Sequence, residues 1–424
     1  MKNLFNDDVM SLDTYIMFRL KEETVRLTPE LSARNRAPIA LSMGAPTANP
    51  PKFVVDRLKE ILDEDGIHTY SIPKGEKYFR DAISLRMKNR FGVDIDPDTE
   101  VFSLIGSKEG IANLIRALIT QKSEEYDKDI ILVPDPCYAS YWQFVKCSGG
   151  KGYPIPLIPE NDYKPNMDEI WENLIKDGYK PENVKAMIIN YPNNPLGVTT
   201  TKEYVKSVVE FCKKHEILLI SDAAYCDLYF DENEKPFSVF EIDGAKDIAV
   251  EFFSFSKPYA LTGWRLGWVC GNSEVVQRFG KAKSTIDNGI FKALQKACAE
   301  VLNSEEGEQY LTQGNLGYKH KQEIMINGFK ELGWDIDESK VPHTTFYLWL
   351  PVPPRYKSAF DFCEDLLQKS GIVVVPGNAF GEYGEGYFRL SYVCSDEQLQ
   401  EVIDRMKADG FYYQSFDELV NARA

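Results

Sequence analysis

The 424-residue chain carries a formal net charge of −16 at pH 7, and 43% of its residues are hydrophobic. That size and composition suit a globular protein with enough core for two domains, while the acidic balance argues against nucleic acid or an anionic membrane as a general partner, because both repel it. The 8 cysteines and 4 histidines fall singly, with no CxxC or Cys/His ligand spacing, so no metal site is expected, and dispersed thiols suit a reducing, cytoplasmic setting.

The chain opens MKNLFNDDVMSLDTYIMFRLKEE, which lacks the uninterrupted apolar stretch of a secretory signal. No apolar run reaches the length of about 18 residues that a membrane helix needs. Beyond this arm, GSKEG at Gly106–Gly110 precedes the apolar-periodic IANLIRALI, a pattern that predicts a helix over 107–120 with Ser107 as N-cap. IILV (Ile130–Val133), AMII (Ala186–Ile189), ILLI (Ile217–Ile220) and WVC (Trp268–Cys270) read as buried strands, each short, apolar and followed by polar or turn residues, with a helix over 202–215 between them. Strand, helix, strand in that order predicts a mostly parallel sheet covered on both faces. A long helical stretch over 291–332 then leads to TTFYLWL, IVVVPG and YFRLSY, the strands expected of a smaller α+β domain. The expected division is a large domain over 46–292 and a small one built from 293–424 with the N-terminal arm 1–45.

Polar residues follow the apolar runs: Asp135 and Tyr138 the first, Asn193 and Asn194 the second, Asp222 and Tyr225 the third. Ligands of open parallel sheets bind outside the carboxyl ends of the strands, so these groups are expected to share one crevice. Each also has a purely structural explanation: a helix cap for Asp222, a turn for Asn194, core packing for Tyr138. The densest chemistry lies in SFSKPYALTGWRLGW, Ser254–Trp268. A phosphate-bearing cofactor needs hydroxyl donors and fixed positive charge, which Ser254 and the Arg265 fork offer. An amine catalyst needs a lysine whose neutral form can attack a carbonyl, for which Lys257 stands ready.

Here S-x-S-K followed by T-G-W-R-x-G resembles the lysine segment of class I and II aminotransferases, fold-type I enzymes that use pyridoxal 5′-phosphate (PLP). The likeness extends from LSMGAPT at Leu41 to FRLSY at Phe388, in the family's order. It implies an α/β large domain of mostly parallel sheet flanked by helices, a smaller α+β domain, and a homodimer with shared active sites. The activity implied is ping-pong transfer of an amino group between an L-amino acid and a 2-oxo acid. Lys257 would join the cofactor as a Schiff base and shuttle the substrate proton. Asp222 would face the ring nitrogen, Tyr225 and Asn194 the phenolic oxygen, and Tyr138 would stack on the ring. Ser254, Ser256 and Arg265 would hold the phosphate together with Ser107, Lys108 and Glu109, the last three largely through their backbones. Tyr70 would reach the partner's phosphate, and Arg389, with Gly44 and Asn194 beside it, would bind the substrate α-carboxylate.

The chain departs from the family pattern in places. Leu196 stands where threonine is common in the N-P-T-G turn, and Cys137 where glycine is frequent. The layout also resembles the LL-diaminopimelate aminotransferase branch. That branch carries E-Q-G after the interface tyrosine, where this chain has Pro73-Lys74-Gly75, which removes a group expected to recognise a distal ammonium. An alanine-, aspartate- or aromatic-type substrate is therefore the broader expectation, with Lys108 and Lys74 as candidates for a second carboxylate. A PLP-dependent lyase or synthase on the same fold shares these cofactor residues and stays open as an alternative. A non-enzymatic regulator with an aminotransferase-like domain does not fit the acidic balance.

Overall fold

The computed structural model describes residues 7–12, 16–122 and 124–414; parts of the N-terminal arm thus lie outside the described residues. Seven short strands form the main sheet: β1 (Val101–Leu104), β2 (Ile130–Asp135), β3 (Lys151–Pro156), β4 (Val184–Ile189), β5 (Leu218–Asp222), β6 (Ala249–Ser254) and β7 (Gly267–Gly271). Their spatial order is β1-β7-β6-β5-β4-β2-β3, and β7 alone runs antiparallel to its neighbours. Most of their residues are buried on both faces, which is why they read as continuous apolar runs and not as alternating patterns. The chain steps outward from β2 to β3, then returns to the other side of β2 for β4, β5 and β6. This reversal opens a crevice between the carboxyl ends of β2 and β4.

Helices close both faces. α1 (Ile16–Ala33) follows the start of the chain; then come α2 (Lys52–Ile61), α3 (Lys77–Phe91), α4 (Ser107–Leu118), α5 (Ser140–Cys147), α6 (Met167–Lys176), α7 (Lys202–His215) and α8 (Ser273–Lys283). α7 starts where the Thr201 side chain accepts the Tyr204 N–H and stops at Glu216 in the left-handed region. α4 begins differently from its sequence expectation. The N-cap is Gly106 at φ 80°, Ser107 is already helical, and no side chain caps the first turn. Its leading N–H groups are left for another acceptor.

The stretch 291–332 is two helices, α9 (Lys292–Val301) and α10 (Glu305–Glu331). Ser304 caps α10 by accepting from the Gly307 N–H, ahead of Glu305 and Glu306, a helix-start signal that overrides continuous periodicity. α9 packs on α2 and α3 and puts Ala293, Ala297 and Cys298 into the large core. α10 crosses between cores: Leu311 joins the first, while Met325, Ile326 and Phe329 join the second. That second core lies under an antiparallel sheet of β8 (Tyr347–Pro351), β9 (Val375–Pro376) and β10 (Tyr387–Ser391), with α11 (Ala359–Ser370) and α12 (Asp396–Ala408) against it. Ile39–Ala40 pairs in parallel with Ile372–Val373, and the Ser391 N–H donates to Leu41 O. The N-terminal segment is thereby stitched to the smaller unit and led into the crevice. Among the described residues no helix is long and apolar enough to cross a membrane.

Candidate active site

A cleft of about 410 Å³ opens at the carboxyl ends of the parallel strands, and its wall includes Gly44, Ser107, Lys108, Tyr138, Asn194, Asp222, Tyr225, Ser254, Ser256, Lys257, Arg265 and Arg389. Of the site residues the family resemblance assigns, Glu109 and Tyr70 are absent from that wall. So are Lys74 and two residues the strand pattern placed in the crevice, because Asp135 turns to the Glu382 and Tyr383 N–H groups and Asn193 is buried in its own turn, accepting the Leu196 N–H. The Glu109 carboxylate turns back to accept the Ile105 N–H and to pair with the buried Lys283 at 2.9 Å; only its backbone belongs to the α4 N-terminus. Tyr70 is 84% exposed on the outer surface.

The floor is built by β5 and β6. Asp222 ends β5, buried, where Tyr141 donates to its Oδ2 at 2.5 Å and the Ala224 N–H to its Oδ1 at 3.2 Å. Burial pushes this carboxyl above its ordinary range, and the two donors and Lys257 pull it back. Lys257 follows β6 by three residues, and its Nζ donates to Gly44 O at 2.6 Å. Burial lowers its pKa to about 8, with Arg389 and Arg265 adding to the depression and Asp222 opposing it. A substantial fraction is thus the neutral amine near physiological pH.

One end of the cleft suits a phosphate. The uncapped start of α4 supplies N–H groups and the favourable end of the helix dipole. Ser254 and Ser256 present buried hydroxyls, and the Arg265 guanidinium lies beside them with Nη1 at 3.5 Å from Ser256 Oγ. Two glycines make the cradle possible. A Cβ on Gly106 would sit 2.5 Å from Arg265 Nη2, and one on Gly267 would sit 2.4 Å from Phe253 O and 3.2 Å from Ser107 N. Arg265 itself adopts φ 53°, an uncommon backbone for a non-glycine residue.

The opposite end suits a carboxylate. Arg389, 3% exposed, donates from Nη1 to Asn194 Oδ1 at 2.7 Å and from Nη2 to Ser42 O at 2.8 Å, while its Nε has no partner. No acid pairs with it among the described residues, and its guanidinium carbon lies over the rings of Tyr347 at 4.4 Å and Phe380 at 4.6 Å. A buried cation is costly without a counter-charge, so this end of the cleft is built to receive an anion. A ring nitrogen over Asp222, an aldehyde carbon at Lys257 and a phosphate at Ser254, Arg265 and α4 are the three demands of PLP, and the side chains present meet them.

Sequence reasoning missed several residues of this site. Tyr141 buttresses Asp222. Asn190 ties the end of β4 to its surroundings, donating to Asp222 O at 2.8 Å and accepting the Asn194 N–H at 3.0 Å. Tyr347 shares a hydrogen bond of 2.8 Å with Tyr225 and crowds Gly44, where a Cβ would lie 2.9 Å from its hydroxyl. On the sheet, Arg389 pairs with Trp349 and Ser391 with Tyr347, so Tyr347 is a same-face diagonal neighbour of Arg389. Just before it Thr345 adopts φ 61°, which costs about 1–3 kcal/mol for a β-branched residue. Its N–H on Leu228 O and its Oγ1 on the Tyr347 N–H hold that bend. Lys74, by contrast, reaches Asp98 O at 3.3 Å and does not line the cleft.

Residues 36–406 match the family model for aminotransferase class I and II. LL-diaminopimelate aminotransferase 2 of Trichormus variabilis is 38% identical over 403 residues, 93% of this chain and 98% of the relative. LL-diaminopimelate aminotransferase of Aquifex aeolicus is 39% identical over 406 residues, 95% of this chain and 98% of the relative. Among solved structures, substrate-bound BacF from Bacillus subtilis superposes with a TM-score of 0.88 at 29% identity, covering 98% of this chain and 100% of that one. An aromatic aminotransferase from Pyrococcus horikoshii gives 0.80 at 28% identity, covering 91% and 97%.

Proposed function

This chain belongs to the class I and II aminotransferases, PLP-dependent enzymes, and on that premise we propose that it moves the amino group of an L-amino acid bearing a second carboxylate, with LL-diaminopimelate the first candidate. Lys257 and Arg389 divide the work between them. When bound, PLP supplies an electron-withdrawing ring that stabilises negative charge at the substrate α-carbon. Asp222 would hold a proton at the ring nitrogen, with Tyr141 and the Ala224 N–H keeping its carboxylate in place. Tyr225 and the Asn194 amide direct hydrogen-bond donors at the phenolic oxygen, while Tyr138 excludes water from one side of the ring. The neutral Lys257 amine would take the proton from the substrate α-carbon as a general base and, once protonated, would give it back as a general acid. Arg389 fixes the α-carboxylate so that the α-hydrogen faces Lys257. Both half-reactions use the same clamp, because amino acid and 2-oxo acid carry the same carboxylate, which is the ping-pong economy of one site.

The observation that carries the substrate class is Lys108. It lines the cleft with its ammonium 5.7 Å above the Tyr138 ring and has no acid partner among the described residues. The relatives named for LL-diaminopimelate point to the same class. In a single-turnover screen following cofactor absorbance, amino acids with a second carboxylate should react faster than alanine or phenylalanine. Lys108→Gln should weaken the dicarboxylic substrates about tenfold, the scale of one charge-assisted hydrogen bond, and leave alanine unchanged. Equal losses for both classes would remove Lys108 from side-chain recognition.

The two-domain division near residues 46 and 292 and a homodimer belong to the same reading. Residues 68–78 pack beside 289–295, as in the Gln295 Nε2 to Ser71 Oγ hydrogen bond of 2.9 Å, and this surface exposes Tyr70, Ile72, Ile286 and Phe291. Such an apolar patch suits burial against a second copy, with Tyr70 reaching the partner's phosphate end. Inactive Lys257→Ala chains mixed with inactive Tyr70→Ala chains should regain activity, since one site of each hybrid keeps both residues. Hybrids that form but stay dead would show that Tyr70 does not act across the interface. The 8 cysteines are all free, which supports a cytoplasmic setting.

A further inference from the structure

We infer that Asp135 positions the substrate-carboxylate end of the cleft: it grips the main chain of residues 382–383 and so holds the Phe380 ring over the Arg389 guanidinium. The inference rests on the assignment of Arg389 to the substrate α-carboxylate. Asp135 ends β2, is 3% exposed and does not line the cleft. Its Oδ2 accepts the Glu382 N–H and its Oδ1 the Tyr383 N–H, both at 3.2 Å. Two residues on, the Cys137 N–H donates to Phe380 O at 2.9 Å. Three hydrogen bonds thus run from the end of one large-sheet strand to one short segment of the smaller unit, each to backbone.

That segment is shaped for the grip. Gly381 lies between the two bonded residues and Phe380 at φ 143°, and a Cβ there would stand 1.9 Å from Asp135 Oδ1. Only glycine lets the carboxylate come up against the turn. The segment also folds tightly on itself, since a Cβ on Gly377 would meet Gly384 O at 2.0 Å, so its two ends move together. Its cleft-facing product is Phe380, whose ring lies 4.6 Å from the Arg389 guanidinium and 6.1 Å, edge-on, from Trp349.

No basic side chain pairs with Asp135 among the described residues, and a buried carboxylate without a cation must be hydrogen-bonded to persist. The two amides meet that need. Burial pushes its carboxyl up to about 6 against their pull, so at neutral pH it is mostly ionised and acceptor-only, with one oxygen for each N–H. Asparagine keeps the shape but turns a donor towards one of the two amides.

The test is Asp135→Asn in the full-length holoenzyme. Amide hydrogen exchange at Glu382 and Tyr383 should accelerate about tenfold or more, and KM for amino acid and oxo acid should rise together by about tenfold, the scale of one lost charge-assisted bond. Here kcat should stay within about threefold, and PLP affinity by absorbance titration within about twofold. Gly381→Ala leaves the carboxylate in place but pushes the turn off it, and should give the same split, including where Asp135→Asn fails to fold. Unchanged KM in a folded variant overturns the inference, whether or not exchange accelerates. A joint fall of kcat and PLP affinity also overturns it, because that marks a general structural role. Arg389→Ala run in parallel separates the two claims: if it leaves KM unchanged, the carboxylate assignment has failed, whatever the exchange at 382–383 shows.

Discussion

Lys257→Ala is expected to lower amino-group transfer by roughly 10⁴-fold, the upper end of what one positioned acid–base group contributes, because the same amine is also the proposed point of covalent attachment. The variant should still bind PLP, since on the proposed reading Arg265, Ser254, Ser256 and the start of α4, which line the other end of the cleft, would hold the phosphate without it. Borohydride should fix the cofactor to Lys257 in the parent chain and to no residue in the variant. A label on another lysine, with Lys257 unmodified, would remove the assignment on which the site is built.

The pH dependence follows with a definite sign. Lys257 has its pKa lowered to about 8, and only the neutral amine attacks a carbonyl. Attachment of PLP to the cofactor-free chain should therefore accelerate as pH rises through about 8 and level off above it. A lysine with the ordinary value near 10.4 would be less than about 1% neutral at pH 8, so the cleft makes the amine roughly a hundredfold more available there. A midpoint near 10.4 would mean that burial and the two arginines do not act on Lys257 as their geometry requires.

Much of this site is legible in the sequence because its chemistry sits just after apolar runs. Asp222 and Tyr225 follow ILLI, and Lys257 follows the strand that ends at Ser254. A parallel sheet buried on both faces forces its polar residues to the strand ends, so pattern and site coincide. β1 (VFSL) and β3 (KGYPIP) carry weaker signals: the first is very short, and the second is interrupted by glycine and proline. The reversal of β7 could not be read either, since apolar run length says nothing about direction. Tyr347 stayed hidden for a related reason. TTFYLWL is visible as a strand, but which of its residues faces Arg389 depends on register, and a one-residue slip would turn Tyr347 away. Tyr141 and Asn190 act through Asp222 and Asn194, and nothing local in the sequence distinguishes such a supporting polar group from an ordinary one. At Ser107 local logic misled. Serine before an apolar helix is a good cap, yet the close approach of Arg265 demands glycine at 106, which takes the N-cap position and leaves Ser107 as the first helical residue.

Arg389→Ala is expected to cost both half-reactions roughly 10² in kcat/KM or more, in line with the 2–5 kcal/mol lost when one partner of a buried charge pair is removed. The guanidinium already donates to Asn194 and Ser42, which fixes its plane and leaves Nε and the remaining N–H groups for a two-oxygen acceptor. The Tyr347 and Phe380 rings packed against it exclude water, so the pair forms where it is strongest. Arg389→Lys keeps the charge and loses the fork, and should fall between parent and alanine. Amines without a carboxylate should lose little, and PLP binding should persist. A second readout distinguishes loss of the charge from loss of the shape. Arg389 helps to depress the Lys257 pKa, so Arg389→Ala should move the midpoint of PLP attachment above about 8, whereas Arg389→Lys should leave it nearly in place. An alanine variant within about twofold of the parent in both half-reactions, well under 1 kcal/mol, with the Lys257 midpoint unmoved, would show that this buried cation serves neither the carboxylate nor the amine, and the substrate class would have to be sought elsewhere in the cleft.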